Sequence, residues 1–258
     1  LMIRRPPRST RKESSAASDV YKRQMALPKI NVPTYELEVP STKDKITYRP
    51  FLVKEEKILL LALEENDEMT IARALKQIVN NCTFDNLSVN DMPLFDLEYI
   101  FLNIRAKSVG EAAEVKLLCP DDEKTYADVN IPLQDVKVEF TKGHTNEIKL
   151  TDSIMVVMRY PTYELLGVDD TDMTIERTFK LIADCTDKVV DGETIHERAD
   201  FNNKELQEFY DGLDSKQFQE VQNFFETMPR LRHTVEVVNP KTKKKSKITL
   251  EGLQSFFA

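Results

Sequence analysis

Residues 69–83 read MTIARALKQIVNNCT, and residues 173–186 read MTIERTFKLIADCT. Both stretches begin with Met-Thr-Ile-x-Arg and end with Cys-Thr, and the second is one residue shorter. The apolar residues between these ends recur at helical spacing. We interpret the two stretches as equivalent amphipathic helices, in which Cys82 and Cys185 close the buried face as small apolar residues.

A second repeated sequence pattern lies downstream of each helix. Five residues have the same residue type 120 positions later, with no gap: Val115, Pro120, Lys124, Leu133 and Gln134 match Val235, Pro240, Lys244, Leu253 and Gln254. Each block alternates apolar and polar residues around a proline turn, which is typical of an antiparallel hairpin. The sequence therefore predicts an α+β fold of two degenerate repeats, each with helices plus short antiparallel β-hairpins. We place the first unit at residues 25–145 and the second at 146–258.

Other segments complete each unit. In the first we expect a hairpin within 35–51 and a strongly apolar helix that follows Pro93. The helix predicted at 54–65 (KEEKILLLALEE) has charged ends and an apolar middle, so we expect most of its surface to be buried. In the second unit we expect a strand at 154–158, a strand pair near 189–195, and helices near 203–211 and 215–228.

The first 24 residues differ in composition from the rest of the chain. They are rich in Arg and Ser, lack apolar periodicity and have no run of the kind that a secretory signal needs. The string resembles translated sequencing-adapter read-through, a feature of metagenomic assemblies. We therefore expect residues 1–24 to be an artefact that is disordered and dispensable, with Met25 as the start. The alternative is a basic disordered arm.

Composition narrows the class of protein. With 258 residues, 41% of them hydrophobic and 31% charged, the chain is typical of a globular protein with a real core. The net charge is −8, and it becomes −13 without the leader, which makes unaided binding to DNA or to an anionic membrane unfavourable. Three widely spaced cysteines favour a reducing compartment over a disulfide framework.

The glycines exclude the common phosphate-binding loops. There are six, and the closest two are 20 residues apart, whereas Walker, dinucleotide and G-x-S-x-G motifs need glycines a few residues apart. The sequence at His196-Glu197 begins like H-E-x-x-H but lacks the second histidine. The sequence thus favours a non-enzymatic protein with no cofactor and no small-molecule substrate.

Three further features have both a functional and a local interpretation. The aspartates at 121–122 and 169–172 suggest cation sites, but a solvated turn and a helix cap explain them better, since no calcium-loop pattern surrounds them. Leu118-Cys119-Pro120 resembles half of a zinc knuckle whose second thiol is replaced by Asp122, so we expect a zinc-ribbon-like hairpin without metal. The basic run 241–247 (KTKKKSK) suggests nucleic acid, but a charged hairpin edge or a contact for an acidic partner fits an acidic protein better.

Specific strings, spread over the body of the chain, carry a family resemblance. They are Leu27-Pro-Lys followed by Tyr35-Glu-Leu, YRPFLVKEEKIL at 48–59, IRAKSVGE at 104–111, FFETMPRLRH at 224–233 and LEGLQSFF at 250–257. From Met25 to Ala258 the chain resembles the small baseplate hub subunit family of T-even-like contractile-tailed bacteriophages (myoviruses). Some members carry knuckle cysteines that this chain lacks.

The resemblance implies a role without catalysis. We expect a structural or assembly component of the phage tail baseplate hub, which contacts other hub proteins and binds no nucleic acid or membrane. It would occur in the host cytoplasm during assembly and then in the virion tail baseplate. The alternative is an assembly chaperone for hub proteins that is absent from the mature virion.

One segment is the best candidate for a partner contact. Arg105, Lys107, Ser108, Gly110 and Glu111 lie between a strongly apolar helix and a hairpin, and their cations stand out in an acidic body. The alternative is local, because basic residues neutralise a helix C-terminus and glycine ends a helix. The residues alone leave both interpretations open.

Overall fold

The computed structural model describes residues 31–65, 67–166 and 175–256, and the helices and strands of this described part begin at Tyr35. The architecture is α+β, as predicted, with helices and several small antiparallel sheets. The leader at 1–24 and the acidic stretch at 169–172 lie outside the described residues.

The first half of the chain forms two hairpins around a group of helices. In order, the elements are β1 (Tyr35–Glu38), β2 (Lys45–Tyr48), α1 (Val53–Glu65), α2 (Glu68–Cys82), α3 (Leu94–Ser108), β3 (Ala112–Leu118) and β4 (Tyr126–Pro132). Helix α2 begins where predicted, since the Asp67 side chain accepts from the Thr70 amide at 2.8 Å and satisfies a free N–H of the first turn. Helix α3 follows Pro93, which has no N–H to lose.

The second half contains a four-stranded sheet and a three-stranded sheet. Its elements are β5 (Lys137–Glu139), β6 (Glu147–Lys149), β7 (Ile154–Met158), α4 (Tyr163–Leu166), α5 (Ile175–Asp184), β8 (Thr186–Asp191), β9 (Thr194–Glu197), α6 (Asn203–Asp211), α7 (Ser215–Thr227), β10 (Arg230–Val238) and β11 (Lys245–Glu251). The strand orders are β6-β7-β8-β9 and β11-β10-β5, and every described pairing is antiparallel.

The buried apolar residues form two clusters. The first surrounds α3, whose Ile100, Phe101, Leu102 and Ile104 are fully buried, and it also includes apolar residues of the C-terminal hairpin β10–β11. The second lies between the four-stranded sheet and helices α5 to α7. The core thus groups the last hairpin with the first half of the chain, although the predicted boundary at 145/146 assigns it to the second unit.

Three hairpins share one type of turn. In each, the residue before a proline accepts a main-chain hydrogen bond from the residue four positions later, which has a positive φ. The acceptor and donor are Val39 and Lys43, Cys119 and Glu123, and Asn239 and Lys243, at 2.9, 3.0 and 2.9 Å. The β3–β4 turn is one residue longer than the other two. The sequence match at 120 positions therefore agrees with the structure on the first strand and at the start of the turn. On the second strand the pairing register differs by one residue, since Val115 pairs with Val129 whereas Val235 pairs with Ile248.

The β3–β4 turn is held by hydrogen bonds. Its one cysteine, Cys119, is buried, and Asp122 accepts from the Thr125 hydroxyl at 2.6 Å. Within the described ranges, no group of three His, Cys, Asp or Glu side chains is arranged to hold a metal ion. Over the same ranges, no helix is long and apolar enough to cross a membrane.

The expected burial of α1 is wrong. Only Glu55 and Ala62 are buried along this helix, whereas Leu60, Leu61 and Leu63 are exposed by 57%, 51% and 49%. The helix packs mainly against α2, so one side meets the protein and the apolar middle extends beyond the contact. The apolar content of the segment could not reveal which leucines face inward.

Candidate partner-binding segment

The candidate segment forms the end of α3 and the entry to β3. The Val109 amide donates to the Arg105 carbonyl at 3.0 Å and closes the last turn of the helix. Gly110 then takes φ = 151°, a conformation that favours glycine, and turns the chain toward β3. The Glu111 carbonyl accepts from the Leu133 amide at 2.8 Å. The backbone of the segment is therefore fixed at both ends.

Lys107 and Glu111 form an exposed ion pair at 2.6 Å. Their hydrogen bond raises the pKa of the Lys107 ammonium and lowers the pKa of the Glu111 carboxyl. The ammonium also lies 5.6 Å from the centre of the Tyr35 ring, within cation–π range. Both charged groups face solvent, where a pair of this kind stabilises the fold only slightly. They remain accessible to a partner.

Ser108 and Arg105 have roles in the fold. The Ser108 hydroxyl accepts from the Phe51 amide at 2.9 Å and donates to the Ile104 carbonyl at 2.5 Å, which ties the chain after β2 to α3. Burial lowers the pKa of the Arg105 guanidinium, whose side chain is partly covered. The segment therefore combines the hydrogen-bonded Ser108 and the partly covered Arg105 with the exposed pair Lys107 and Glu111.

Buried carboxylates are the polar residues that sequence reasoning missed. Glu55 is fully buried, accepts from the Leu52 amide at 2.9 Å and pairs with Arg49 at 2.9 Å. Burial raises the pKa of this carboxyl, but the hydrogen bonds from Arg49 and Leu52 outweigh burial and leave the pKa lowered. The carboxylate closes the corner between β2 and α1.

Two more buried carboxylates lie on α3. Asp96 accepts from the Ser41 amide at 3.1 Å and from its hydroxyl, which anchors the turn of the first hairpin. Glu98 accepts from the Leu253 amide at 2.8 Å, and burial raises its pKa to about 7. The signal in the sequence was two acids inside the apolar run LFDLEYIF. Each carboxylate attaches a distant segment to α3, which is a structural use.

The basic run lies where the sequence placed it, on the turn between β10 and β11. Lys241, Lys243, Lys244, Lys245 and Lys247 are exposed. Asp121 of the β3–β4 turn accepts from the Asn239 amide group at 2.9 Å and from the Thr242 hydroxyl, so the two turns lie side by side. Asp121 and Asp122 thus act as hydrogen-bond acceptors within turns.

A comparison with models of protein families identifies the family of this chain. The model of the T4 bacteriophage base plate protein family matches residues 32–258. The chain belongs to this family. A search of curated proteins and a search of solved structures each found no match. The family match confirms the resemblance to a T4-like phage baseplate protein and supports a structural role in the virion tail, in contact with other tail proteins.

Proposed function

We propose that this chain is a non-enzymatic component of the baseplate hub. The observation that carries the proposal is the family match over residues 32–258. The strings that resemble the hub subunit family support the finer assignment to the hub. They fall on the β2–α1 corner, on the end of α3 and on the C-terminal hairpin. In the described residues, the buried carboxylates and the aspartates of the turns are engaged in holding the fold, which leaves the exposed surfaces for binding.

The experiment is quantitative mass spectrometry of purified virions of a phage that encodes this chain. A hub component is present in a fixed number of copies per tail, and chemical cross-linking of intact tails joins it to proteins at the tail axis. Cross-links only to peripheral baseplate proteins would contradict the hub position. Loss of the chain from mature virions, with presence in assembly intermediates, would instead support the assembly chaperone as the function.

We also propose that the two halves of the chain descend from one duplicated unit. Supporting this, each of the two similar helices ends in a buried cysteine whose carbonyl accepts from the amide of an arginine after a strand, with a threonine next in sequence. The Thr83 hydroxyl donates to the Val79 carbonyl at 2.8 Å, and the Thr186 hydroxyl donates to the Ile182 carbonyl at 3.0 Å. A crystal structure in which residues 45–83 and 154–186 fail to superpose would overturn the duplication.

The end of α3 is our proposed contact surface for another hub protein. The exposed pair Lys107 and Glu111 supports it, because a charged pair on a fixed backbone presents a defined pattern to a partner. Gly110 adds no side chain of its own between Lys107 and Glu111. The hydrogen bonds of Ser108 to Phe51 and Ile104 hold the segment in place from the interior side.

A further inference from the structure

Helix α1 exposes more apolar surface than a solvated helix needs. Val53 and Leu60 are seven residues apart and so lie on one side of the helix, and Leu63 lies one turn from Leu60. Val53 is exposed by 79%, and Leu60, Leu61 and Leu63 by about half. We call these four residues the α1 face. Leu60, Leu61 and Leu63 are grouped in the second half of the helix, and Val53 lies two turns earlier, beyond the exposed Glu56 and Lys57. Grouped exposed apolar residues of this kind mark interaction sites.

The C-terminal end of the same helix is acidic. Glu64 and Glu65 are exposed, and the last turn contains no basic residue. The helix dipole places partial negative charge at this end, so carboxylates here are unfavourable unless a cation approaches from outside. The α1 face is therefore bordered by a region that attracts positive charge.

The β10–β11 turn carries a cluster of lysines, and it lies beside the acids Asp121, Asp122 and Glu123 of the β3–β4 turn. Leu118 and Tyr126 face each other across β3 and β4 beside the turn, and they are exposed by 42% and 61%. Val238, beside the neighbouring turn, is exposed by 45%. We call these three residues, with the lysines at 241, 243, 244, 245 and 247, the paired tips. Lys245 pairs with Glu236 at 2.7 Å, and Lys247 lies directly opposite Glu236 in the β10–β11 register.

We propose that the α1 face of one copy of this chain docks on the paired tips of a second copy. Each surface presents exposed apolar side chains, and the lysines of the β10–β11 turn are opposite in charge to Glu64 and Glu65, so contact buries apolar area and pairs these charges. The partner that binds the α1 face is a second copy of this chain, because both complementary surfaces belong to the same chain. The proposal does not depend on the hub assignment.

The geometry of such a contact determines its behaviour. The two surfaces differ, so the contact is heterologous, and repetition produces a closed ring or an open filament. Few residues take part, so the area falls below that of a stable dimer and the contact is weak. The lysines and carboxylates are exposed, so salt screens their attraction. Assembly is therefore expected to rise with protein concentration and fall with salt.

Sedimentation velocity of the full chain tests the proposal. At low ionic strength the weight-average sedimentation coefficient should rise with concentration, and salt near 0.5 M should reduce this rise. Two charge reversals, Glu64→Lys with Glu65→Lys and Lys243→Glu with Lys244→Glu, should each abolish it. Both should fold, because lysine suits a helix C-terminus and Glu123 already occupies the turn position equivalent to Lys243.

A mixture of the two reversed proteins is the decisive measurement. Each variant alone should be monomeric. In the mixture, the lysines introduced at 64 and 65 in one variant can pair with the glutamates introduced at 243 and 244 in the other, so association should return. Lys204→Glu with Lys216→Glu, on α6 and α7, makes the same change in net charge as the reversal of Lys243 and Lys244 and should leave association intact. A wild-type chain that stays monomeric up to millimolar concentration would overturn the proposal. So would association that survives both reversals, or a mixture that stays monomeric.

Discussion

The main-chain amide of Arg159 donates a hydrogen bond to the carbonyl oxygen of Cys185 at 2.7 Å, which joins the end of β7 to the end of α5. The amide of Arg49 makes the same bond to Cys82 at 3.0 Å, at the end of β2 and α2. The backbone corner is thus alike in both halves, although the side chains differ. Arg49 reaches the buried Glu55, whereas Arg159 reaches the Asp184 carbonyl near solvent.

The first prediction uses this difference. Arg49→Met leaves the Glu55 carboxylate buried without its guanidinium, and we expect the free energy of unfolding to fall by about 3 kcal/mol. This loss lies at the lower end of the range for breaking a buried ion pair, because the Lys54 ammonium also lies 3.2 Å from the Glu55 carboxylate and remains in the variant. The matched Arg159→Met loses hydrogen bonds to one exposed carbonyl and should cost about 1 kcal/mol. Urea denaturation at pH 7 measures both.

A double variant provides the control. Arg49→Met with Glu55→Gln removes both charges and keeps an acceptor for the Leu52 amide, so most of the loss should return. Equal costs for Arg49→Met and Arg159→Met would mean that the buried pair adds nothing beyond an ordinary hydrogen bond.

The sequence predicted the long helices and the hairpins well, because their apolar periodicity and proline turns are local signals. It missed β5 and β6, which have three residues each and exist only through pairing with β10 and β7. Such short strands have no periodicity of their own. The burial of α1 was wrong for a similar reason, since the contact with α2 decides which leucines are covered.

The structure of the candidate segment at the end of α3 could be predicted only in part from the sequence. Its helix end and glycine are local signals, but the bond from Phe51 to Ser108 joins residues 57 positions apart. Nor could composition indicate that Arg105 is partly covered while Lys107 faces solvent. The apolar run around Asp96 and Glu98 held a usable signal, because acids inside such a run must find partners or remain protonated.

The second prediction concerns Glu98. Burial raises its folded pKa to about 7, above the ordinary value of roughly 4.3 in the unfolded chain. Between these values the folded state binds more protons, so this residue makes stability fall as pH rises from about 4.5 to 7. Glu98→Gln keeps an acceptor for Leu253 and should remove that loss. At pH 8 we expect a gain on the order of 3 kcal/mol.

Urea denaturation at several pH values between 4.5 and 8 tests this. The curves of wild type and Glu98→Gln should diverge as pH rises. Parallel curves would show that Glu98 titrates normally. Glu111→Gln, in an exposed ion pair, serves as a control for the loss of a carboxylate at the surface.

The third prediction concerns His144, which stacks near Tyr160 and Phe224 and whose ring nitrogens lie 2.9 Å from the Thr227 hydroxyl and 3.0 Å from the Tyr160 hydroxyl. Burial lowers the pKa of His144. The unfolded chain binds this proton more readily, so stability should fall as pH drops below about 6.5. This slope is opposite to that of Glu98.

The two slopes are separated by working in the Glu98→Gln background. There, the melting temperature should fall between pH 7 and 5.5, and His144→Phe, which keeps the ring stacking, should flatten the fall. If the slope is unchanged by His144→Phe, another group causes the acid sensitivity. His196, with its ring tilted against Phe201, provides the matched control as His196→Phe.

The last prediction concerns the end of α3 as a contact surface. Lys107→Gln breaks an exposed ion pair, so the free energy of unfolding should change little. If this surface binds a hub protein, co-assembly measured by pull-down from co-expressed tail proteins should fall several-fold. Arg105→Gln should behave differently, since its guanidinium is partly covered and the variant loses stability. The matched control is Lys204→Gln, which breaks another exposed ion pair between residues four apart, at 3.8 Å to Glu208. Co-assembly that survives Lys107→Gln and Glu111→Gln, and falls only with the unstable Arg105→Gln, would assign the segment to the fold and place the hub contact elsewhere.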